Sequence, residues 1–177
     1  MSIITLNKLA LPTGSVLQVQ STFYNTPFTQ SISANTDTEI NNISVNITPS
    51  STSNKIMLFG RLFSEYSQGN AHNGGYFFRR GSTKIGEGVA SGNRPAVMAT
   101  HGTNYMQGGS YDAGSTPETM NMFHIDASHN STSQITYTIG YCQLHAGTLY
   151  VNRTVQDSDS TARERGSSEI IVMEIKG

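Results

Sequence analysis

The sequence has few charged residues, a single cysteine and no tryptophan. Asp, Glu, Lys and Arg make up 13% of its 177 residues, against roughly 25% in an average soluble domain. The formal net charge is −1, and the 11 Lys and Arg residues are scattered along the chain. This balance argues against a nucleic-acid partner, because nucleic-acid binding usually needs a basic surface. One cysteine also excludes an internal disulfide and a zinc site built on several cysteines.

Long hydrophobic runs are missing as well. The longest strongly apolar run covers residues 56–59, whereas a membrane helix needs about 20 apolar residues. An export signal needs a basic start and an apolar stretch of about 7–15 residues. The first residues have no early charge, and Asn7 and Lys8 interrupt them. We therefore expect no export signal and no membrane partner.

The residues that are abundant favour β structure. Ser, Thr, Asn and Gly account for 73 of the 177 residues. Val, Ile, Thr, Tyr and Phe total 57 residues, against 51 for the helix-favouring set Ala, Leu, Glu, Lys, Gln, Arg and Met. Globular domains are normally rich in the second set, so this composition predicts an all-β fold.

Two turns with flanking apolar segments predict hairpins. Residues 43–47 alternate apolar and polar side chains, as a half-buried strand does. A Pro-Ser-Asn-rich turn at residues 49–54 then leads into the apolar segment 56–63, which predicts a hairpin. Gly81 and Ser82 separate two further short apolar segments and predict a tight two-residue turn.

Further alternating segments raise the number of predicted strands to between eight and ten, with no convincing helix. This pattern is typical of a β-sandwich or barrel. Two polar segments, residues 25–38 and 107–118, are predicted to be loops. The further strands are predicted at residues 15–20, 119–125, 135–141, 149–151 and 170–175.

The sequence carries no motif of catalysis, metal binding or cofactor binding. The five histidines have no recognised ligand spacing. Asp157 and Asp159 resemble the start of a calcium loop, but the Gly and the terminal Glu of that loop do not follow. Gly86 and Gly88 resemble a dinucleotide fingerprint, but the third Gly falls one residue late and no helix follows. We expect a protein that is not an enzyme and that binds no cofactor and no metal.

Two predicted strands are apolar on both faces, at residues 56–59 and 170–172. The outer face of an antiparallel sandwich is normally polar, so another element must cover the second apolar face. A neighbouring subunit, the N-terminal arm, a long loop or a sheet edge could each do so. The residues expected at a subunit interface are Ile56, Leu58, Ile170 and Val172.

The N-terminal segment is expected to be an extended attachment arm. Residues 1–13 have no helical period and precede the first regular strand, so we divide the chain into this arm and a sandwich at residues 14–177. Aliphatic side chains left in solvent would be a liability, and we expect them to dock on another protein of the assembly. The attachment residues are Ile3, Ile4, Leu6, Leu9 and Leu11.

Three tyrosines are candidates for contact with glycans. Tyr76, Tyr105 and Tyr111 lie in or near Gly-rich segments, and aromatic rings on exposed loops can stack on sugar faces. Such loops also occur without any ligand, so this remains the weaker of the binding hypotheses.

Several segments resemble, in their order along the chain, the jelly-roll modules on the surface of tailed phages, including cyanophages. The resemblance covers about residues 14–177. It is carried by GSVLQVQ at residues 14–20, ITPSSTSNKIML at 47–58, RGSTKIG at 80–86, YVNR at 150–153 and GSSEIIVMEI at 166–175.

The resemblance implies a jelly-roll-like antiparallel β-sandwich, a homotrimer and a virion surface location for a protein made in the bacterial host cytoplasm. Such modules are capsid decoration or cement proteins, or fibre tips that recognise host surface glycans. An arm of about 13 residues suits a protein that clips onto a capsid lattice, whereas a fibre needs a shaft. We therefore expect a decoration protein whose partner is the major capsid protein or another virion protein, with the receptor-binding tip as the alternative.

Overall fold

We describe the fold from a computed structural model, at residues 11–67, 74–100, 106–107, 110–111 and 115–177. Its regular elements are antiparallel β-strands, and these residues contain no helix. The strands are β1 (Val16–Tyr24), β2 (Phe28–Ile32), β3 (Thr38–Ile47), β4 (Lys55–Tyr66), β5 (Gly74–Arg80), β6 (Thr83–Ile85), β7 (Ala99–Thr100), β8 (Met106–Gln107), β9 (Ser110–Tyr111), β10 (Glu118–Asp126), β11 (Ile135–Gln143), β12 (Gly147–Val151) and β13 (Ser168–Ile175).

The strands form two packed sheets. In the six-stranded sheet the order is β1-β13-β4-β12-β2, and β10 pairs with the other edge of β4. In the five-stranded sheet the order is β3-β11-β5-β6, and β7 also pairs with β5. A separate two-stranded ribbon joins β8 and β9. The predicted all-β, jelly-roll-like antiparallel sandwich is confirmed.

The connection between β3 and β4 differs from the prediction. Residues 43–47 and 56–63 were expected to pair as a hairpin, but β3 pairs with β11 while β4 pairs with β13, β12 and β10. The turn at residues 49–54 therefore carries the chain from one sheet to the other. Both strands have buried apolar residues, and each buries them against the same core from its own sheet. Alternation shows which residues are buried, but it does not show which strand lies alongside.

Other local predictions had mixed outcomes. β5 and β6 form the tight hairpin predicted around Gly81 and Ser82, and Gly81 adopts the positive φ of 56° that such turns favour in glycine. The segment 25–38 was predicted to be a loop, but it contains β2, which pairs with β12. The polar side chains of β2 hid the alternation of the partly buried Phe28 and the buried Ile32.

The core lies between the two sheets and is closely packed. Gly60 shows how near they are, because a Cβ atom there would lie 2.8 Å from Cε1 of Phe78 and 3.2 Å from Cδ1 of Ile139. The fully buried aromatic rings include Tyr66, Tyr76, Tyr137, Tyr141 and Phe78. Tyr76 donates to or accepts from Ser64 Oγ at 2.8 Å, so its hydroxyl is satisfied inside the core.

Candidate docking face of the six-stranded sheet

The six-stranded sheet presents an apolar surface on the side away from the core. Its strand register places eight outward-facing side chains, seven of them apolar, in two adjacent rows across β10, β4, β13 and β1. The first row runs from Ile125 through Met57 and Met173 to Val19, and the second from Phe123 through Phe59 and Ile171 to Ser21. We call the seven apolar residues the outer face: Val19, Met57, Phe59, Phe123, Ile125, Ile171 and Met173.

Much of the outer face is open to solvent. Phe123 is 51% exposed, Val19 50%, Ile125 41% and Phe59 38%, and the other three members are half-buried. The rings of Phe59 and Phe123 pack at a centroid distance of 5.0 Å. A contiguous apolar surface of this kind is a candidate interaction site, since the largest apolar patch on a soluble protein is often functional.

Charged residues stand at both ends of the outer face rather than within it. Arg61 and Glu169 are cross-strand neighbours one row beyond Phe59 and Ile171, and Arg61 Nη2 lies 4.0 Å from Glu169 Oε2. Arg61 also donates to Ser167 Oγ at 3.0 Å. Lys55 lies at the opposite end, beside Ile175. The apolar rows therefore have a charged rim, as interfaces with an apolar centre do.

The outer side of the five-stranded sheet is different, because the chain covers it. Phe77 is fully buried on that side, and Lys84 Nζ lies 4.0 Å from the centre of its ring. Lys84 also pairs with Asp37 at 3.2 Å, and Arg79 Nη1 donates to the Asp37 carbonyl oxygen at 3.3 Å. A loop of this chain thus closes over the one sheet, while no described segment covers the outer face of the other.

The residues predicted at a subunit interface face the wrong way for that role. Ile56, Leu58, Ile170 and Val172 are fully buried in the core between the sheets. In the folded chain these side chains cannot reach another subunit. The apolar second surface expected at these strands does exist, but their odd-numbered neighbours form it.

The positions of the charged residues in the sequence distinguish the two faces of β4. Lys55 and Arg61 have the same parity as Met57 and Phe59, and charged side chains belong on the solvent side of a strand. That parity assigns Ile56 and Leu58 to the core. In β13 the parity rule is misleading, because Glu174 shares the phase of Ile170 and Val172 and is itself fully buried.

Of the three tyrosines proposed as glycan contacts, the structure describes the side chain of Tyr76 alone. Tyr76 is fully buried and holds Ser64, so it cannot stack on a sugar. Tyr105 lies outside the described residues, and only the backbone of Tyr111 is described, in β9. Tyr76 was expected to be exposed because Gly74 and Gly75 precede it. These glycines instead belong to β5 and are buried.

The arm is described at its C-terminal end. Ile3, Ile4, Leu6 and Leu9 lie outside the described residues. Leu11 is half-buried, and its carbonyl oxygen accepts a hydrogen bond from Lys176 Nζ. Gly14 N donates to the Lys176 carbonyl oxygen at 2.8 Å. The chain thus enters the sandwich beside the end of β13, near the row that contains Met173 and Val19.

An open cleft of about 590 Å³ lies elsewhere, beside the five-stranded sheet. Polar side chains contribute to its lining, among them Asn35, Asp37, Asn93 and Arg94. Cys142 also lines it; this thiol is buried, and burial raises its pKa. None of the described lining residues is aromatic.

The described residues hold neither a cluster of metal ligands nor a helix that could span a membrane. Within the described ranges, no three His, Cys, Asp or Glu side chains cluster closely enough to hold a metal ion. In that same part of the chain, no helix is long and apolar enough to cross a bilayer.

Comparison with known proteins adds distant structural similarities. No protein-family model and no curated protein sequence matches the chain. A structure of the infectious bursal disease virus Gx strain is similar at 16% identity and a TM-score of 0.41, covering 100% of this chain and 42% of that chain. A structure of the Gt strain is similar at 16% identity and a TM-score of 0.39, covering 100% and 43%.

The crystal structure of the infectious bursal disease virus VP2 subviral particle is similar at 13% identity and a TM-score of 0.37. This match covers 99% of this chain and 46% of that chain. The protein therefore spans less than half the length of each of these three chains. At TM-scores below 0.5 two chains need not share a fold, so these matches assign neither family nor function.

Proposed function

We propose that the chain is a non-enzymatic structural protein of a phage virion surface, with capsid decoration as its specific role. The observation that carries this proposal is the open apolar outer face on a sandwich whose other outer side is closed by its own loop. A face of this kind is built to pack against protein. The order of short sequence motifs shared with phage surface modules adds the virion context.

The N-terminal arm would supply the contact with the particle shell, while the outer face packs against a neighbouring protein on the particle surface. Ile3, Ile4, Leu6, Leu9 and Leu11 would dock on the major capsid protein or another virion protein. An extended segment can add to an exposed sheet edge, where backbone hydrogen bonds supply affinity. Two weak contacts on one chain reinforce each other on a lattice, because the second binding event is intramolecular.

Labelling of intact particles tests this proposal. Antibodies raised against the purified chain would be applied to purified particles of the phage that encodes it, and the particles viewed by negative-stain electron microscopy. We expect label over the head. Label confined to the tail or fibres would favour the receptor-binding alternative, and particles without label would contradict both roles.

One observation favours the alternative of a fibre tip that binds host surface glycans. The cleft beside the five-stranded sheet is lined by amide, carboxylate and guanidinium groups, which can form hydrogen bonds with sugar hydroxyls. A glycan array probed with the wild-type chain and with Asn93→Ala/Arg94→Ala tests this role. Saccharide binding that the double substitution abolishes would support the receptor role over the decoration role.

A further inference from the structure

We propose that the outer face binds the same face of a second copy of the chain, forming a two-fold symmetric pair. In such a pair each residue's contact is made twice, once in each direction. The two-fold axis would run parallel to the strands, between β4 and β13, so that β4 of one copy lies over β13 of the other. Aligned sheets pack in this way with their strands about 30° apart.

The charged rim fits this arrangement. With the axis parallel to the strands, Arg61 of each copy lies over Glu169 of the other, since the two residues are direct cross-strand partners. An axis perpendicular to the strands would reverse the rows. It would bring Arg61 over Lys55 of the other copy, and like charges at an interface are costly. Charge therefore favours the axis parallel to the strands over the perpendicular one.

The sizes of the facing side chains fit the same arrangement. The same axis places β10, which is the outer neighbour of β4, over β1 of the other copy, which is the outer neighbour of β13. Phe123, the most exposed member of the outer face, then lies over Ser21, which is the smallest side chain in the two rows. Ile125 lies over Val19 in the next row. A large side chain opposite a small one allows the two faces to interdigitate.

The area available is that of a weak pair. Four strands about 4.8 Å apart and three rows about 7 Å apart, the two apolar rows and the row of Arg61 and Glu169, give an area of about 400 Å². Two copies would bury about 800 Å², which is less than the roughly 1,000 Å² of a stable specific interface and is the size of a weak, transient one. We expect a pair that dissociates on dilution. The net charge of −1 does not oppose the pairing, because self-repulsion between copies is small.

Sedimentation of the full chain over a range of concentrations tests the pairing. We expect a reversible equilibrium between the 19.2 kDa chain and a species of twice that mass. Phe123→Lys should raise the dissociation constant at least tenfold. Val89→Lys is the matched control, because Val89 is 98% exposed and lies off the outer face, and it should leave the constant unchanged.

A charge exchange identifies the occupant as a second copy. Arg61→Glu and Glu169→Arg should each weaken self-association when present alone, because like charges then meet at both rim contacts. An equimolar mixture of the two variants should restore association, since each mixed pair brings opposite charges together. Circular dichroism of each variant checks that the fold is kept. A mixture that associates no better than either variant would overturn the proposal.

A single tryptophan reports which segment covers the face. The chain contains no tryptophan, so Phe123→Trp introduces the one fluorophore of this kind. If a second copy covers it, the emission should shift to longer wavelength on dilution. Emission that stays independent of concentration and shifts only when residues 2–10 are removed would assign the face to the arm of the same chain. That result, emission of an exposed tryptophan at every concentration, or a trimer insensitive to Phe123→Lys would each contradict the pair.

Discussion

Glu174 is fully buried near the end of β13, and uncharged donors hold its carboxylate. Ser50 donates through its backbone N and its Oγ at 2.6 and 2.7 Å, Gln18 Nε2 at 2.6 Å, and Asn54 Nδ2 at 2.5 Å. Burial by itself would raise the pKa of Glu174, but these hydrogen bonds to the ionised form outweigh it and lower the pKa. The carboxylate ties β13 to the turn between the two sheets and to β1.

Replacing this carboxylate should cost stability. In Glu174→Gln an amide group would face several donors, and hydrogen bonds to a charged acceptor are worth about 2 kcal/mol each. We expect the free energy of unfolding in urea to fall by about 2 kcal/mol or more. Glu39→Gln, at an exposed position of β3, is the control and should change it little. Equal stability of the two variants would show that the hydrogen bonds to Glu174 are not needed.

Asp126 is a second buried carboxylate whose pKa is lowered. Burial would raise its pKa, but donation from Ser128 N at 3.0 Å, Tyr137 Oη at 2.8 Å and Arg80 Nη1 at 2.8 Å lowers it. Arg80 reaches both carboxylate oxygens. Asp126 and Glu174 are therefore more acidic in the folded chain than in the unfolded one.

Stability should consequently be lost on acidification. A carboxyl group with a lowered folded pKa contributes fully above its unfolded value, here 3.8 for Asp126 and 4.5 for Glu174, and this contribution is lost as the pH falls through and below those values. We expect the urea concentration at the midpoint of unfolding to decrease as the pH is lowered below about 4.5. The decrease should be less steep in Asp126→Asn/Glu174→Gln. A urea midpoint that rises as the pH is lowered from 5 to 3 would contradict this account.

At the scale of the element, Gly60 sets how closely β4 approaches the opposite sheet. A Cβ at this position would meet the ring of Phe78 at 2.8 Å, whereas a Cβ at Gly88 would meet its nearest atom, the Val97 carbonyl oxygen, at 3.8 Å. Gly60→Ala should lower the free energy of unfolding by about 1–3 kcal/mol through overpacking. Gly88→Ala is the matched control and should be nearly neutral. Similar thermal melts for both would mean that the Phe78 ring moves aside without cost.

The strands show how far sequence reasoning reached. The alternation at residues 119–125 predicted β10 and separated Met122 from Phe123 and Ile125, which the structure places on the core side and the outer side. In β4 and β13 both phases are apolar, so alternation could not say which phase faces the core. The interface prediction therefore selected the buried residues of these strands in place of the exposed ones.

Pairing between distant strands was not predictable in the same way. The outer face combines β10, β4, β13 and β1, and local pattern does not encode which of these strands are neighbours. β3 and β4 illustrate the limit, because a turn of Pro, Ser and Asn suits a hairpin and a crossing between sheets equally well. Tyr76 shows the same limit, since its place beside Gly-rich sequence indicated exposure, whereas the glycines instead allow close packing, with Val97 against Gly75.

At the scale of the whole molecule, the sandwich has two unlike outer sides. Lys84, Arg79 and Asp37 close one side over Phe77. The other side leaves Phe123, Val19 and Ile125 open to solvent, and the arm enters the sandwich near the row that contains Met173 and Val19. A chain with one closed and one open side has one surface left for packing against protein, as the proposed structural role requires.

Incorporation into particles tests most directly the claim that the outer face is the assembly surface of a virion protein. Tagged variants would be produced in host cells infected by the phage that encodes the chain, and purified particles would be probed for the tag. We predict that the wild type and Val89→Lys are incorporated and that Phe123→Lys, folded as judged by circular dichroism, is depleted at least tenfold. Incorporation of Phe123→Lys at the wild-type level would contradict the claim.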